Sequence, residues 1–496
     1  MKAYYCWAWL LATCFLQSNI FCKQIEQTIT DVTYQPTWES LDSRLNPGWY
    51  DDAKFGIFLH WGVYSVPSYG GSSEWFWAYW KGNDPQYMKF MNQSYAPGFT
   101  YQEFAPEFKA EFFDADKWAS TFDHAGAKYV VLTSKHHDGY TLWPSKHTFS
   151  WNSVDVGPHR DLVGELSTAI RKRKNPMRFG VYYSLLEWFN PMYLRDKRNK
   201  FDTREYVDQK MIPDLVELFE NYKPELLWAD GDWEATDDYF RSKDIIAWLY
   251  NNSTVKDSIL VNDRWGKGIP CHHGGFRTCY DRWNPRVLEK PKWEGCHSVD
   301  KESWGYRRNA KLEDFHTVKE LIDLLVIIVS CGGNLLLNVG PTKDGTIAPI
   351  HQDRLHGVGR WLKLNGKAIY QTQPWIHQND TANENVWYTA SKKHDVLRDI
   401  SNSEEVKEVV STVYASVLEW PKNNLLYLED LTNHLDLNQS QIFMLGNSKN
   451  LPLKWSQSGK GIWISFPDME VVRSKWAWCL RITNVVQRFL PKRIDP

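Results

Sequence analysis

Residues 226–234 read Leu226-Leu227-Trp228-Ala229-Asp230-Gly231-Asp232-Trp233-Glu234. The run opens apolar and short behind Pro224-Glu225, the pattern of a buried strand entered from a turn. It delivers Asp230 and then a glycine. Asp232 and Glu234 follow, interleaved with Trp233, so three carboxylates stand within five positions at a strand end. Such a cluster is costly unless it faces a cleft, pairs with donors or does chemistry. The flanking tryptophans suit a sugar site, because the apolar faces of a sugar ring need flat aromatic partners. Taken alone the stretch reads equally as a solvated acidic loop, and its surroundings decide.

The same arrangement recurs on both sides. Upstream, residues 54–62 (KFGIFLHWG) form a strand that stops on His60 and Trp61. A second strand from residue 128 runs into His136-His137-Asp138, and residues 178–184 (RFGVYYS) end on Tyr182 and Tyr183. Downstream, residues 258–262 lead into Asp263-Arg264-Trp265, and residues 333–340 (GNLLLNVG) carry Asn338. Helical periods over 114–125, 161–174, 206–222, 243–250 and 318–330 fall between the strands. Alternation of this kind predicts an α/β fold with a (β/α)8-like barrel. Barrel sites are built from the carboxyl ends of the strands, so His60, His136, His137, Tyr183, Asp230, Arg264 and Asn338 are expected at one mouth. An open doubly wound sheet would want a Gly-rich turn opening a helix, and Gly332-Gly333 precedes a strand instead.

At 496 residues the chain is long enough for two or three domains. Residues 1–22 read as a signal peptide: Lys2, an apolar run over 4–16 too short to span a bilayer, then polar residues. Residues 23–371 are the expected barrel. Past residue 372 the texture turns to short alternating runs separated by turn residues, which predicts a C-terminal antiparallel β-sandwich over 372–496. The charged stretch 395–407 interrupts that series and reads as an inserted loop or helix. A formal net charge of -2 argues against a nucleic-acid partner, and no later stretch is long and apolar enough for a membrane span. The 27 Trp are an enrichment common in carbohydrate-active proteins. Cys271 and Cys279 are close enough for a local disulfide in an oxidising compartment. Asn92, Asn251, Asn252, Asn379 and Asn438 open glycosylation sequons.

A strand-end carboxylate among tryptophans, histidines and an arginine suggests glycoside hydrolysis, which needs two carboxyl groups flanking the bond. Asp230 is the candidate nucleophile. The second carboxyl is expected from another loop, either Asp281 in Cys279-Tyr280-Asp281-Arg282-Trp283 or Glu294 in Lys292-Trp293-Glu294-Gly295-Cys296, and spacing does not choose between them. The first strand ends on His-Trp-Gly rather than on two spaced histidines, so neither a metal nor another cofactor is expected.

These motifs resemble the α-L-fucosidases of glycoside hydrolase family 29, close to the animal tissue or lysosomal type. The resemblance rests on KFGIFLHWGVYSVPSYG, SEWFWAYW, AKYVVLTSKHHDGYTLWPS, YYSLLEWFNP, WADGDWE, VNDRWG, SWGYRR and GGNLLLNVGPTKDG, and covers nearly everything after the leader. It implies a retaining exo-glycosidase that releases terminal α-L-fucose from glycoproteins, glycolipids and oligosaccharides, with Asp230 as nucleophile. His60, Glu74, His136, His137, Tyr183 and Arg264 match positions that hold the sugar hydroxyls or steady the nucleophile. Trp61, Trp75 and Trp143 would pack on its methyl and ring faces. The acid/base position varies across the family, and the animal pattern favours Asp281 over Glu294. The implied partners are fucosylated glycans, a homo-oligomer is compatible with the resemblance, and the implied location is lysosomal or secreted. A lectin-like protein on an inactive barrel is the alternative, and its mark would be a missing nucleophile.

Overall fold

The computed structural model describes residues 33–398, 407–447 and 451–489. The expected leader lies outside them. Seven strands form one parallel sheet: β1 (Phe55–Leu59), β2 (Tyr129–Lys135), β3 (Arg178–Ser184), β4 (Leu226–Asp230), β5 (Leu260–Val261), β6 (Trp293–Ser298) and β7 (Gly333–Val339). Their order, β5-β4-β3-β2-β1-β7-β6, is chain order wrapped around, which leaves β5 and β6 as the edges. Residues 276–278 bridge those edges. The Phe276 amide donates to the Val261 carbonyl at 3.2 Å, and the Arg277 amide to the Lys292 carbonyl at 2.9 Å. Arg277 also forms a parallel bridge with Trp293. The ring therefore closes through a minimal eighth stave, giving a barrel of the TIM type.

Helices α1 (Ala115–Ala125), α2 (Leu162–Arg171), α3 (Ile212–Tyr222), α4 (Ser242–Asn251), α5 (Val318–Ser330) and α6 (Pro349–Asn365) belong to the layer around the strands. Asp114 and Asp161 accept from the first-turn amides of α1 and α2, and Thr317 with Glu320 forms a capping box on α5.

Side-chain alternation divides each strand between two environments. Phe58, Tyr129, Val131, Tyr182, Leu226, Trp228, Leu260, Cys296 and Leu336 pack together inside the ring. Ile57, Leu59, Val130, Leu132, Val181, Tyr183, Leu227 and Ala229 pack outward against the helices. In β2 the register with β3 shifts between Thr133 and Lys135, so Lys135 pairs with outward-facing Tyr183. That irregularity turns the following His136 inward.

The strands described beyond the barrel are antiparallel. β8 (Thr372–Asn379), β9 (Val386–Arg398), β10 (Lys407–Val417), β11 (Leu425–Leu428), β12 (Gln441–Met444), β13 (Trp455–Ser458), β14 (Gly461–Ser465) and β15 (Trp478–Phe489) form a five-stranded sheet, β12-β15-β10-β9-β8, and a three-stranded one, β11-β14-β13. Tyr388, Val413, Ala415 and Ile482 of the first meet Leu426, Leu428, Ile462 and Ile464 of the second in a shared core. Trp387, Tyr414 and Cys479, from the five-stranded sheet, join the barrel's outer core. Trp361 of α6 donates to the Ala477 carbonyl at 2.9 Å. The stretch 395–407 is not an inserted helix or loop at its ends. Asp395 pairs with Val410 and Arg398 with Glu408, so the charged segment prolongs a β-ribbon. Residues 399–406 lie outside the described residues.

Candidate active site

One cavity opens at the carboxyl ends of the barrel strands, with about 420 Å³ of empty space. Its lining includes His60, Glu74, Trp75, His136, His137, Tyr182, Asp230, Arg264 and Asp281. Asp230 is delivered by β4, and the chain turns away at once through Gly231 at φ 83°. A Cβ there would approach the Leu186 side chain at 3.0 Å while adopting a left-handed backbone, so glycine is required behind the carboxylate.

Both oxygens of Asp230 are held. Arg264 Nη1 lies 3.2 Å from Oδ1, and the Tyr182 hydroxyl donates to Oδ2 at 2.7 Å. Burial pushes the Asp230 carboxyl above its ordinary range, and the Arg264 guanidinium pulls it back. Arg264 remains cationic: burial disfavours its charge, and Asp281 and Asp230 more than restore it. Its Nη2 donates to Asp281 Oδ1 at 2.7 Å and its Nε to Thr278 Oγ1 at 3.0 Å. One guanidinium thus spans both candidate catalytic aspartates. The Asp281 side chain is 47% exposed at the rim, whereas that of Asp230 is 12% exposed. Burial raises Asp281, but Arg264 overrides it and holds the carboxyl below the usual range in the empty pocket.

The histidines present acceptors. Asn338 donates through Nδ2 to Ser298 and to the Trp304 carbonyl, which leaves its Oδ1 as an acceptor, 2.8 Å from His60 Nδ1. His60 therefore carries its proton on Nδ1 and keeps a lone pair on Nε2. His137 is fixed in the same tautomer. The Ser184 hydroxyl gives its proton to the Leu186 carbonyl at 2.8 Å, so His137 Nδ1 must donate to that hydroxyl at 2.7 Å. His137 Nε2 is left bare, 3.6 Å from Asp230 Oδ2. Burial, opposed in part by the Asn338 bond, takes His60 down to about 4, and burial with the Lys135 charge takes His137 down to about 3. Both rings are neutral near pH 7. Glu74 accepts from the Trp304 and Gly305 amides through Oε2, while its buried Oε1 has no protein partner. His136 Nδ1 is likewise buried and unpartnered. These open groups match a small ligand rich in hydroxyls, and Phe58, Trp75, Trp228, Trp233 and Trp304 supply its apolar wall.

The structure brings His60, Glu74, Trp75, His136, His137, Asp230, Arg264 and Asp281 together and places other expected residues elsewhere. Tyr183 faces outward, because it alternates with Tyr182, and donates to Asp214 Oδ2 at 3.2 Å. Its neighbour Tyr182 is the tyrosine of the pocket. Trp61 follows the outward parity of Leu59, packing on Phe108, Phe113 and Trp118. Trp143 is buried away from the pocket, its Nε1 3.4 Å from Glu217. Glu294 sits not on a loop but inside β6, fully buried, on the inward parity of Cys296 and one step further from the mouth. It does not line the cavity. His136 is turned inward by the irregularity in β2, His137 follows it beyond the strand end, and both rings reach the pocket. Asp263 is a residue the sequence reading passed over. It accepts from the amides of Cys271, Thr278 and Cys279 and from the Thr278 hydroxyl, and so braces the loop that carries Asp281. The signal was its place beside Arg264. A disulfide joins Cys271 and Cys279 in that loop.

Comparisons with known proteins point to one family. Residues 21–367 match the family described as alpha-L-fucosidase, and residues 378–483 match the alpha-L-fucosidase C-terminal domain. The chain is 51% identical over 458 residues to an alpha-L-fucosidase of Branchiostoma floridae, covering 91% of this chain and 96% of that protein. It is 50% identical over 456 residues to tissue alpha-L-fucosidase of Homo sapiens, covering 91% and 92%. Among solved structures, a Thermotoga maritima alpha-fucosidase in complex with fucose superposes with a TM-score of 0.73 at 33% identity, covering 91% of this chain and 100% of that one.

Proposed function

The chain belongs to the α-L-fucosidase family and is a glycoside hydrolase acting on α-L-fucose, and from its site we propose a retaining, exo-acting mechanism with Asp230 as nucleophile and Asp281 as acid/base. A lectin-like role on an inactive barrel has no support. The observation that carries the mechanism is the shared guanidinium: Arg264 ties a buried carboxylate at the pocket floor to a half-exposed one at its rim. Two carboxyl groups so placed can flank one glycosidic bond.

A fucose ring in the pocket meets acceptors on His60 Nε2, His137 Nε2 and Glu74 Oε1 for its hydroxyl protons, and the tryptophans for its methyl face. Asp230 attacks C1 while Asp281 gives a proton to the departing oxygen. In the second step Asp281 takes a proton from water, which releases the sugar from Asp230 with its configuration retained. Asp281 must carry a proton at the outset, whereas Arg264 holds it ionised in the empty pocket. The incoming sugar therefore has to draw Asp281 off Arg264 Nη2. Glu294 is unsuited to the role because it is sealed behind Trp228.

Entry into the secretory pathway, to a lysosomal or secreted destination, is part of the same reading. It is supported by the apolar leader, by the disulfide and by exposed Asn92 and Asn438 in sequons. The test is hydrolysis of an aryl α-L-fucoside followed by NMR of the first-formed anomer. Asp230→Ala should abolish turnover, and azide should restore Asp281→Ala. A product of inverted configuration would sink the retaining mechanism.

A further inference from the structure

Glu294 is a fully buried carboxylate in the middle of the ring that the mechanism does not use. Its Oε2 accepts from the hydroxyls of Tyr50, at 2.7 Å, and Tyr129, at 2.6 Å; its Oε1 accepts from Trp228 Nε1 at 3.1 Å. The donors come from three elements: the short helix Gly48–Ala53, β2 and β4. A buried carboxyl costs much desolvation, and here three directed donors offset that cost.

What it fixes is the Trp228 indole. Against that indole lie the Tyr182 ring, stacked at 5.8 Å and 19°, and the Arg264 guanidinium, 4.7 Å from the ring centroid. Tyr182 and Arg264 are the two groups that hold the oxygens of Asp230. Trp228 also forms part of the pocket wall. We propose that Glu294 is a positioning residue: through its bond to Trp228 it sets the plane on which Tyr182 and Arg264 rest, and so the aim of the Asp230 carboxylate at the anomeric carbon. The proposal rests on the fucosidase reading with Asp230 as nucleophile.

A general acid and a positioning residue fail differently. Loss of an acid hurts substrates with poor leaving groups most and is relieved by a small anion. Loss of aim hurts every substrate alike, because the attack itself is misdirected. The experiment measures kcat/KM for wild type, Glu294→Ala and Glu294→Gln on aryl α-L-fucosides of graded leaving-group acidity, with and without azide. Glu294→Ala is expected to lose about ten- to a hundredfold on all of them, with an unchanged leaving-group slope and no azide response. Glu294→Gln keeps an acceptor for Trp228 Nε1 and should recover most of the loss. Should Glu294→Ala fail to fold, Glu294→Met keeps the side-chain volume and withdraws the oxygen that accepts from Trp228 Nε1. It should lower kcat/KM on all the aryl fucosides alike, with an unchanged leaving-group slope and no azide response. A steeper leaving-group slope with azide recovery would make Glu294 the acid/base and overturn the proposal. A lowered Tm with unchanged kcat/KM would reduce it to a structural residue. An inactive wild type would instead refute the underlying fucosidase reading.

Discussion

Removing one hydroxyl separates two adjacent tyrosines that sequence alone could not tell apart. In Tyr182→Phe the ring stays packed on Trp228, and Asp230 Oδ2 loses the 2.7 Å bond from the phenol. Nothing replaces it: His137 Nε2 stands 3.6 Å away and presents a lone pair. A hydrogen bond to a charged acceptor is worth about 1.5–3 kcal/mol, which corresponds to roughly 10- to 150-fold in kcat/KM if it steadies the attacking carboxylate. The pH profile carries a second signature. The donor favours the ionised form of Asp230, so its loss raises the carboxyl pKa and moves the acidic limb of kcat/KM to higher pH. Tyr183→Phe is the control, since it removes a bond to Asp214 in a buried ion network that includes Lys210. It should lower stability by about 1 kcal/mol and leave kcat/KM and its acidic limb in place. Both are read from initial rates on an aryl fucoside over the acidic and neutral range, with thermal melts of each variant. If Tyr183→Phe costs more turnover than Tyr182→Phe, or if the acidic limb of Tyr182→Phe does not move, the assignment of the pocket-facing tyrosine is wrong.

Three further outcomes are expected. Asp263→Ala strips acceptors from the amides of Cys271, Thr278 and Cys279, and should destabilise the protein by about 3 kcal/mol while lowering kcat/KM through the misplaced Asp281 loop; denaturation curves and rates check both. Trp233 is 41% exposed at the mouth and stacks on Trp75, so Trp233→Ala should cost a fucosyl disaccharide roughly two- to tenfold more in kcat/KM than it costs fucosyl fluoride, which has no leaving sugar to rest on it. Burial raises the Glu294 carboxyl from 4.5 to about 7, so the folded state binds its proton more tightly than the unfolded chain does. That contribution is complete below 4.5 and is lost as pH rises through about 7, about 3 kcal/mol in all, and Glu294→Gln should lack this decline in denaturant titrations at the two ends of the window.

The barrel was legible because each strand stops on a polar residue with chemistry, and Asp230, His60 and Arg264 needed only that rule. Facing was not legible. The inward parity of β3 and β1 is set by ring closure, so Tyr183 and Trp61 read as well as Tyr182 and His60 did. The irregularity in β2 comes from its register with β3, which no local pattern betrays. β6 escaped because Trp293-Glu294-Gly295-Cys296-His297-Ser298 has neither alternation nor an apolar run, yet every residue of it is buried. Glu294 is tolerated there because Tyr129 and Trp228, on distant strands, satisfy it.

The stave formed by residues 276–278 gives the barrel its loosest joint, two neighbours linked by a few main-chain bonds rather than by a full strand. Asp281 issues from that joint, whereas Asp230 is rooted in a continuous strand paired along its length with β3. The proton donor can thus be lengthened, shortened or relocated by editing one seam, and Arg264, which joins the two aspartates, is the link through which the half of the site that makes the covalent bond would register the change.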